Sequence, residues 1–562
     1  MIDSTAMFFN FVSALPTLQS PVIWLWLSPI LLYAEMHYRL KFLKGRLYKK
    51  QPEIVFDAPR RIQSTDLPIV LLIKDAHWFP VILKEVRLKI TSPFDNSLCK
   101  EQVFKENLAI NRQWFTREYF LDVSKDRDHL LNIDCRAFVE CGGHTLIIQN
   151  DNYAGLSQAA LEVFVDPETL PAESGWLWGD LHCHSEWTTD QVEFGLPLVS
   201  LPVLAGSMGL SYCGLVEHSY DLDDQPDSWT QNDEEVRKWR LFRQAVQAIN
   251  DNYPDFCVIP GEEVTVDNGL GQNVHLAVLD NPEFFAGSGD GLEHSAGFAS
   301  ELSYQRVLEK ADSQALIFAA HPFTQPPLSQ RLIARRGTWN PYDHLKRLDG
   351  WQILNGQTGR EFTTGRNFWI RKLLSGQRSF IYAGNDAHGN FNRFRQVQIP
   401  LLKMHEHNHQ VFGEFMTGVK ADLRTGRNVL IANLKNGAVI VSNGPFINLT
   451  ATDPQQRHYD IGQTLPNAPR NLKISTQSTN YYGAIRLIRL FIGNIERQTE
   501  EIKTFKISAG IYRKMFNFPL IDTPSSGYLR AEVETKSSKL ALTNPIWFGN
   551  VTDPGFKEKN NS

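Results

Sequence analysis

Cysteine is scarce in this chain: there are six in 562 residues, and none forms a Cys-x-x-C pair. Cys99, Cys135, Cys141, Cys183, Cys213 and Cys257 therefore read as reduced, buried thiols of a protein in a reducing compartment, with a single Cys135–Cys141 bridge left open. A basic excess is also absent. The net charge of −5 leaves no electrostatic footprint for nucleic acid and disfavours a nuclease. Between Thr5 and Ala34 there is no charge at all. That stretch lacks the basic start and the A-x-A-like end of a cleaved signal. The apolar run Val22–Ala34 is followed instead by Arg39, Lys41, Lys44, Arg46, Lys49 and Lys50, which places its C-terminal side in the cytoplasm. Trp24 and Trp26 suit a membrane interface, while Pro16, Pro21 and Pro29 argue against a straight helix. Residues 5–34 are thus expected to associate with the membrane from the cytoplasmic side, as a kinked or re-entrant anchor. The alternative is a hairpin buried against another domain or subunit.

Hydrophobic residues at 42% and charged residues at 21% are ordinary globular values, and the length allows several domains. After the apolar segment and basic stretch of residues 1–50, residues 51–170 carry alternating or apolar runs such as Ile69–Ile73, Val86–Ile90 and Leu161–Val165. They predict a β-sandwich-like domain. His77, His129 and His144 stand alone there and read as structural. Residues 174–432 alternate apolar runs with helical stretches, notably Asp233–Asn250 and Arg366–Leu374. The runs are Trp176–Trp178, Tyr212–Val216, Phe256–Ile259, Leu316–Ala319, Trp351–Leu354 and Phe380–Ala383, a pattern that predicts an α/β fold. Residues 436–552 return to β character and predict a second sandwich-like domain.

The chemistry concentrates in the middle region. In Asp180-Leu-His-Cys-His-Ser185 the two histidines share one strand face, half of a metal clamp. Glu217-His218, Gly261-Glu262-Glu263, His275, Ala320-His321-Pro322 and Asn385-Asp386-Ala387-His388 follow in order. Most of these lie where an apolar run ends, as catalytic residues do at the carboxyl ends of barrel strands. A distorted (β/α)7 TIM-like barrel is the expected architecture, counting Asn273–Leu279 as a strand. The Asn268-Gly269 turn allows that strand to fold back antiparallel and bring His275 beside Glu263. The tract His405-Glu-His-Asn-His409 lies outside this order and reads as exposed.

Closely spaced divalent metals bind a substrate oxyanion, generate hydroxide from water and stabilise the leaving oxygen. His218 or His388 would supply the leaving group with a proton or a cation, and Glu217 is either an acid/base or a support. Arg335, Arg336, Arg360 and Arg393 follow candidate strands, where a guanidinium fork grips phosphate or carboxylate. Each also reads as an ordinary surface residue.

The ordered set Asp-Leu-His-x-His, acid-His, Gly-x-Glu, His, Ala-His-Pro, Asp-Ala-His over residues 176–390 resembles the polymerase-and-histidinol-phosphatase (PHP) superfamily. Trp-x-Gly-Asp-Leu-His, Ser442-Asn-Gly-Pro-Phe446 and Ala541-Leu-Thr-Asn-Pro-Ile546 are similar to its carbaryl-hydrolase branch. The resemblance implies a PHP-type barrel with a trinuclear centre of Zn, Mn or Fe. His182, His184, Glu263 and Asp386 would hold one ion. Glu263 would bridge to a second, completed by His275 and His321, and His218, His388 and Asp190 would hold the third. Asp180 would orient a ligand imidazole. The expected activity is phosphoester hydrolysis on a small or lipid-like ester. Carboxylic ester, carbamate or amide hydrolysis is the alternative, and a non-catalytic scaffold is a third reading.

Overall fold

The computed structural model describes residues 51–94, 98–152, 158–188, 195–225, 228–288, 299–326, 328, 331, 335–339, 348–398, 403–407, 409–520 and 523–549. The expected membrane anchor of residues 5–34 lies outside them. No helix among the described residues is long and apolar enough to cross a membrane, so they lend that reading no support.

The strands Glu53–Asp57, Asp66–Lys74 and Trp114–Asp122 form one sheet of the N-terminal region. A six-stranded sheet built on Val81–Thr91, Leu98–Ile110 and His129–Cys141 faces it. Their alternating apolar residues, among them Ile54, Phe56, Ile69, Leu71, Leu83, Val86, Leu88 and Ile133, interdigitate into a core of their own. Cys135 and Cys141 are free thiols at two points of one extended strand, so no bridge joins them.

Among the described residues the expected (β/α)7 TIM-like barrel, PHP type, is not formed. Strands make up 46% of the described residues and helices 15%, too little helix to follow each strand with one. The middle region instead belongs to an open sheet of 16 strands. Its site half runs, in spatial order, Phe380–Gly384, Gly350–Asn355, Leu316–Ala319, Asn273–Leu279, Cys257–Asp267, Tyr212–His218, Trp176–Cys183 and Met416–Lys420. Asn273–Leu279 is antiparallel to both neighbours. Trp176–Cys183 is parallel to Tyr212–His218, but its other edge is taken by Met416–Lys420, antiparallel.

A barrel needs a ladder between its first and last strands. Here Cys183 and Ala387 make one isolated bridge. The outer edge of Phe380–Gly384 is satisfied by side chains instead. Asn544 Oδ1 accepts from Ile381 N at 2.8 Å, and Thr417 Oγ1 accepts from Ala383 N at 2.9 Å and donates to Ala383 O at 2.8 Å. Once those groups are paired, nothing draws a further strand onto that edge.

The sheet also runs through the expected domain boundary near residue 434. Met416–Lys420 pairs with Val439–Ser442, which pairs with Leu540–Thr543, and the ladder continues through Gly527–Thr535 to Ile485–Asn494. A four-stranded sheet containing Phe446–Thr452 and Asn471–Gln477 packs against this part. The strand Lys403–His407 pairs with Phe394–Gln398, and His409 is exposed.

Candidate metal centre

Parallel register places the chemistry at one end of the sheet. His218 lies opposite Glu263 across the Tyr212–His218 and Cys257–Asp267 ladder. The next strand returns antiparallel with Ala277 opposite Glu263 and His275 opposite Thr265, so His275 comes back to the same end. His182 and His184 arrive at the end of Trp176–Cys183, and both are fully buried. His321 follows Leu316–Ala319, while Asp386 and His388 follow Phe380–Gly384. His321 and Asp386 adopt left-handed backbone, with φ of 28° and 54°. That conformation is costly for non-glycine residues and is held at functional sites by the structure around it.

Glu263 is the hub. Its Oε1 lies 2.6 Å from His275 Nδ1, 2.8 Å from His321 Nε2 and 3.5 Å from His182 Nε2. Its Oε2 lies 3.1 Å from His218 Nδ1 and 3.5 Å from His184 Nε2. Asp386 Oδ1 is 3.3 Å from His182 Nε2 and 3.2 Å from His184 Nε2, and His388 Nε2 is 3.6 Å away. Two sets of donor atoms converge within 4.8 Å of one another: His182, Glu263, His321 and Asp386, and His184, His218 and His388. This grouping differs from the one the resemblance implies, since His182 and His184 fall in different sets. Glu263 Oε2 and His218 Nδ1 are buried without a hydrogen-bond partner, although close together. Lone pairs that converge without hydrogens between them fit a cation, and the imidazole-rich donor set suits Zn or Fe, with the carboxylates also admitting Mn.

The charge balance points the same way. Burial pushes the Glu263 carboxyl up, yet His275 and His182 outweigh it and hold it well below the usual range. Asp386 behaves likewise beside His182. Burial depresses His182, but Glu263 and Asp386 raise it well above an ordinary imidazole. His184 is driven well below by burial, with His388 and His218 adding to the effect.

Supports behind the cluster fix the rings. The Gln352 amide oxygen accepts from His182 Nδ1 at 2.7 Å and is itself oriented by its Nε2 donating to Asn355 at 2.9 Å. With Nδ1 held as the donor, His182 would offer Nε2 to a bound cation in place of its proton. His184 Nδ1 is 3.3 Å from the Thr188 hydroxyl, which donates to Glu217. Gln352 and Thr188 were missed in the sequence. The signal for Gln352 was a polar residue inside the apolar run Trp351–Leu354.

Several expected roles change. Glu217 is fully buried, and its hydrogen bonds go to Ser185 and Thr188, so it braces the His184 turn and is not placed to exchange protons with a substrate. Asp180 holds the backbone N–H groups of His182 and Asn385 and the Asn385 amide, not an imidazole; burial pushes it up to about 6. Glu262, the neighbour of Glu263 on the same strand and the other carboxylate that could have bridged, faces away, accepting from Trp239 Nε1 at 2.9 Å and Phe285 N at 3.0 Å, and burial pushes it up to about 8. Of the four arginines only Arg336 reaches the cluster, its guanidinium against His275 Nε2. Arg335 and Arg360 are exposed, and Arg393 donates to Ala160 O of the N-terminal region. Asp190 lies outside the described residues.

No family model and no curated protein matches this chain. The PHP resemblance therefore rests on motif order alone. Among solved structures the chain is similar to trypsin-activated alpha-2-macroglobulin from Escherichia coli, at 10% identity and a TM-score of 0.16, over 91% of this chain and 24% of that one. It is also similar to a putative beta-galactosidase from Bacteroides fragilis, at 10% identity and 0.18, over 90% and 74%. A Bacteroides uniformis beta-glucuronidase matches at 12% and 0.18, over 88% and 61%. These scores are too low to carry an activity to this chain.

Proposed function

We propose that the protein is a metal-dependent hydrolase acting on phosphoesters. The observation that carries this reading is the division of the histidines between the two oxygens of Glu263, which is how a carboxylate bridges neighbouring cations. His182, Glu263, His321 and Asp386 would hold one ion and His184, His218 and His388 another, with His275 on Glu263 Oε1. Bound divalent ions supply oxyanion binding and water activation.

The protein's own groups do the rest. His182, His184 and Glu263 are sealed from solvent, whereas His218, His388 and Asp386 keep 13%, 13% and 18% of their side-chain surface exposed. Substrate would approach from that open side, where the ion held by His184, His218 and His388 would stabilise a leaving oxygen. Two carboxylates among several divalent cations leave the centre net cationic, and Arg336 adds to it, which favours an anionic ester. The test is turnover of p-nitrophenyl phosphate, bis-p-nitrophenyl phosphate and p-nitrophenyl acetate with added Zn, Mn or Fe. The phosphate esters are expected to turn over well above the acetate. Acetate preference would move the assignment to carboxylic ester or carbamate hydrolysis, and no turnover of any ester would favour a scaffold.

A further inference from the structure

The segment that carries Asp386 and His388 is held at both ends. At its start, Asp386 N donates to His182 O at 2.8 Å and Ala387 bridges to Cys183. In the middle, His388 O accepts from Gly195 N at 3.1 Å. Its far end leaves the sheet altogether and enters the N-terminal region. Phe391 N donates to Asp57 Oδ2 at 3.0 Å and Asn392 N to Asp57 Oδ1 at 3.1 Å. The Asn392 side chain then joins two segments of that region, donating to Ala58 O at 3.2 Å and Glu162 O at 2.9 Å while accepting from Glu162 N at 3.2 Å. Asp57 is fully buried, and so is Phe391, which packs on Phe412 at 4.9 Å.

We infer that Asp57 is a positioning residue of the metal centre and that the N-terminal sandwich is part of its scaffold. This rests on the metal-dependent reading above. The physical ground is short leverage. Only Gly389 and Asn390 separate His388 from the two amides that Asp57 grips. Gly389 has φ of 92°, and a Cβ there would meet Gly195 O at 2.5 Å, so the segment follows one narrow path between its ties. Removing the carboxylate leaves two buried N–H groups without acceptors, and the backbone must move to find others. The imidazole of His388 moves with it, whereas His182 and His275 stand on strands that Asp57 does not touch, His321 follows another such strand, and Asp386 keeps its own tie to His182 O. The Asp57 effect is therefore selective for the ion on the His184, His218 and His388 side.

The test is a Co2+ titration of the full chain, read by absorption and by elemental analysis, with His388→Ala as the reference for a lost ligand. Asp57→Asn, which keeps one acceptor oxygen, and Asn392→Ala, which leaves both backbone bonds, guard against outright unfolding. Melting is followed alongside. Asp57→Asn is expected to reproduce the His388→Ala pattern: the weakest Co2+ site loses at least tenfold in affinity, the tighter binding stays, and the melt remains cooperative; Asn392→Ala, which keeps the two Asp57 bonds, is expected to weaken the same site by less. Wild-type Co2+ affinity and spectrum in both folded variants would overturn the inference while leaving the hydrolase reading intact. Absence of Co2+ binding in the wild type would overturn the metal reading itself, and this inference with it.

Discussion

Glu263 and Gln352 divide the work of the site at the scale of single residues. Glu263 brings charge to the centre of five imidazoles, and Gln352 sets which nitrogen of His182 faces that charge. A neutral amide acceptor fixes the tautomer without adding a third negative charge. Gln352→Leu is expected to lower metal affinity about 10–100-fold with the fold intact, as loss of a ring-orienting partner does. Gln352→Glu keeps an acceptor in place and loses less, and competition with a chromophoric chelator measures both. Away from the centre, Asp223 shows the cost of an unpartnered charge. Asn232 donates to its Oδ2 at 2.8 Å, its Oδ1 is buried without a partner, and burial pushes the carboxyl up to about 6. A raised carboxyl binds its proton more tightly in the folded state, so stability falls as pH rises from the ordinary range near 4 through about 6. Asp223→Asn is therefore expected to match wild type below pH 4 and to gain on the order of 1–2 kcal/mol by pH 7, after allowance for solvent screening. Urea denaturation at the two pH values checks it, and an equal effect at both would contradict the assigned cause.

At the scale of elements, the strands were legible and their partners were not. The apolar runs beginning at Trp176, Tyr212, Leu316, Trp351 and Phe380 are all strands with buried residues. Their polar ends marked the cluster, because a histidine or carboxylate at the tip of a buried strand needs a partner. Nothing in an apolar run states the direction of its neighbour: the antiparallel return of Asn273–Leu279 was readable only from its Asn268-Gly269 turn, and the antiparallel Met416–Lys420 was missed. The groups that cap the outer edge of Phe380–Gly384 come from far away, Thr417 and Asn544. Such side chains are invisible to periodicity. Asn544→Ala is expected to destabilise the fold by roughly 1–3 kcal/mol, because Ile381 N would stay buried without an acceptor. Asn544→Asp, which keeps the accepting oxygen, would restore part of it, as chemical denaturation can show.

Over the whole molecule, the boundary expected between the middle and C-terminal regions is crossed by continuous sheet. A buried network strengthens the join: Arg366 of the Arg360–Leu374 helix bonds Glu532, which also meets Arg530, itself held by Glu500 at 2.7 Å. The N-terminal sandwich reaches the centre through Asp57, a contact spanning more than 300 residues of sequence. Sequence spacing brought out the members of the cluster because each sits near a strand end. It carried none of these long-range ties, which depend on how layers meet. The centre therefore draws on the molecule as a unit, and one stoichiometry reports on it. The most direct measurement is elemental analysis of purified protein reconstituted with Zn, Mn or Fe, wild type beside His182→Ala. The account predicts about two to three ions per chain in the wild type and at least one fewer in the variant. No bound metal in the wild type would contradict it.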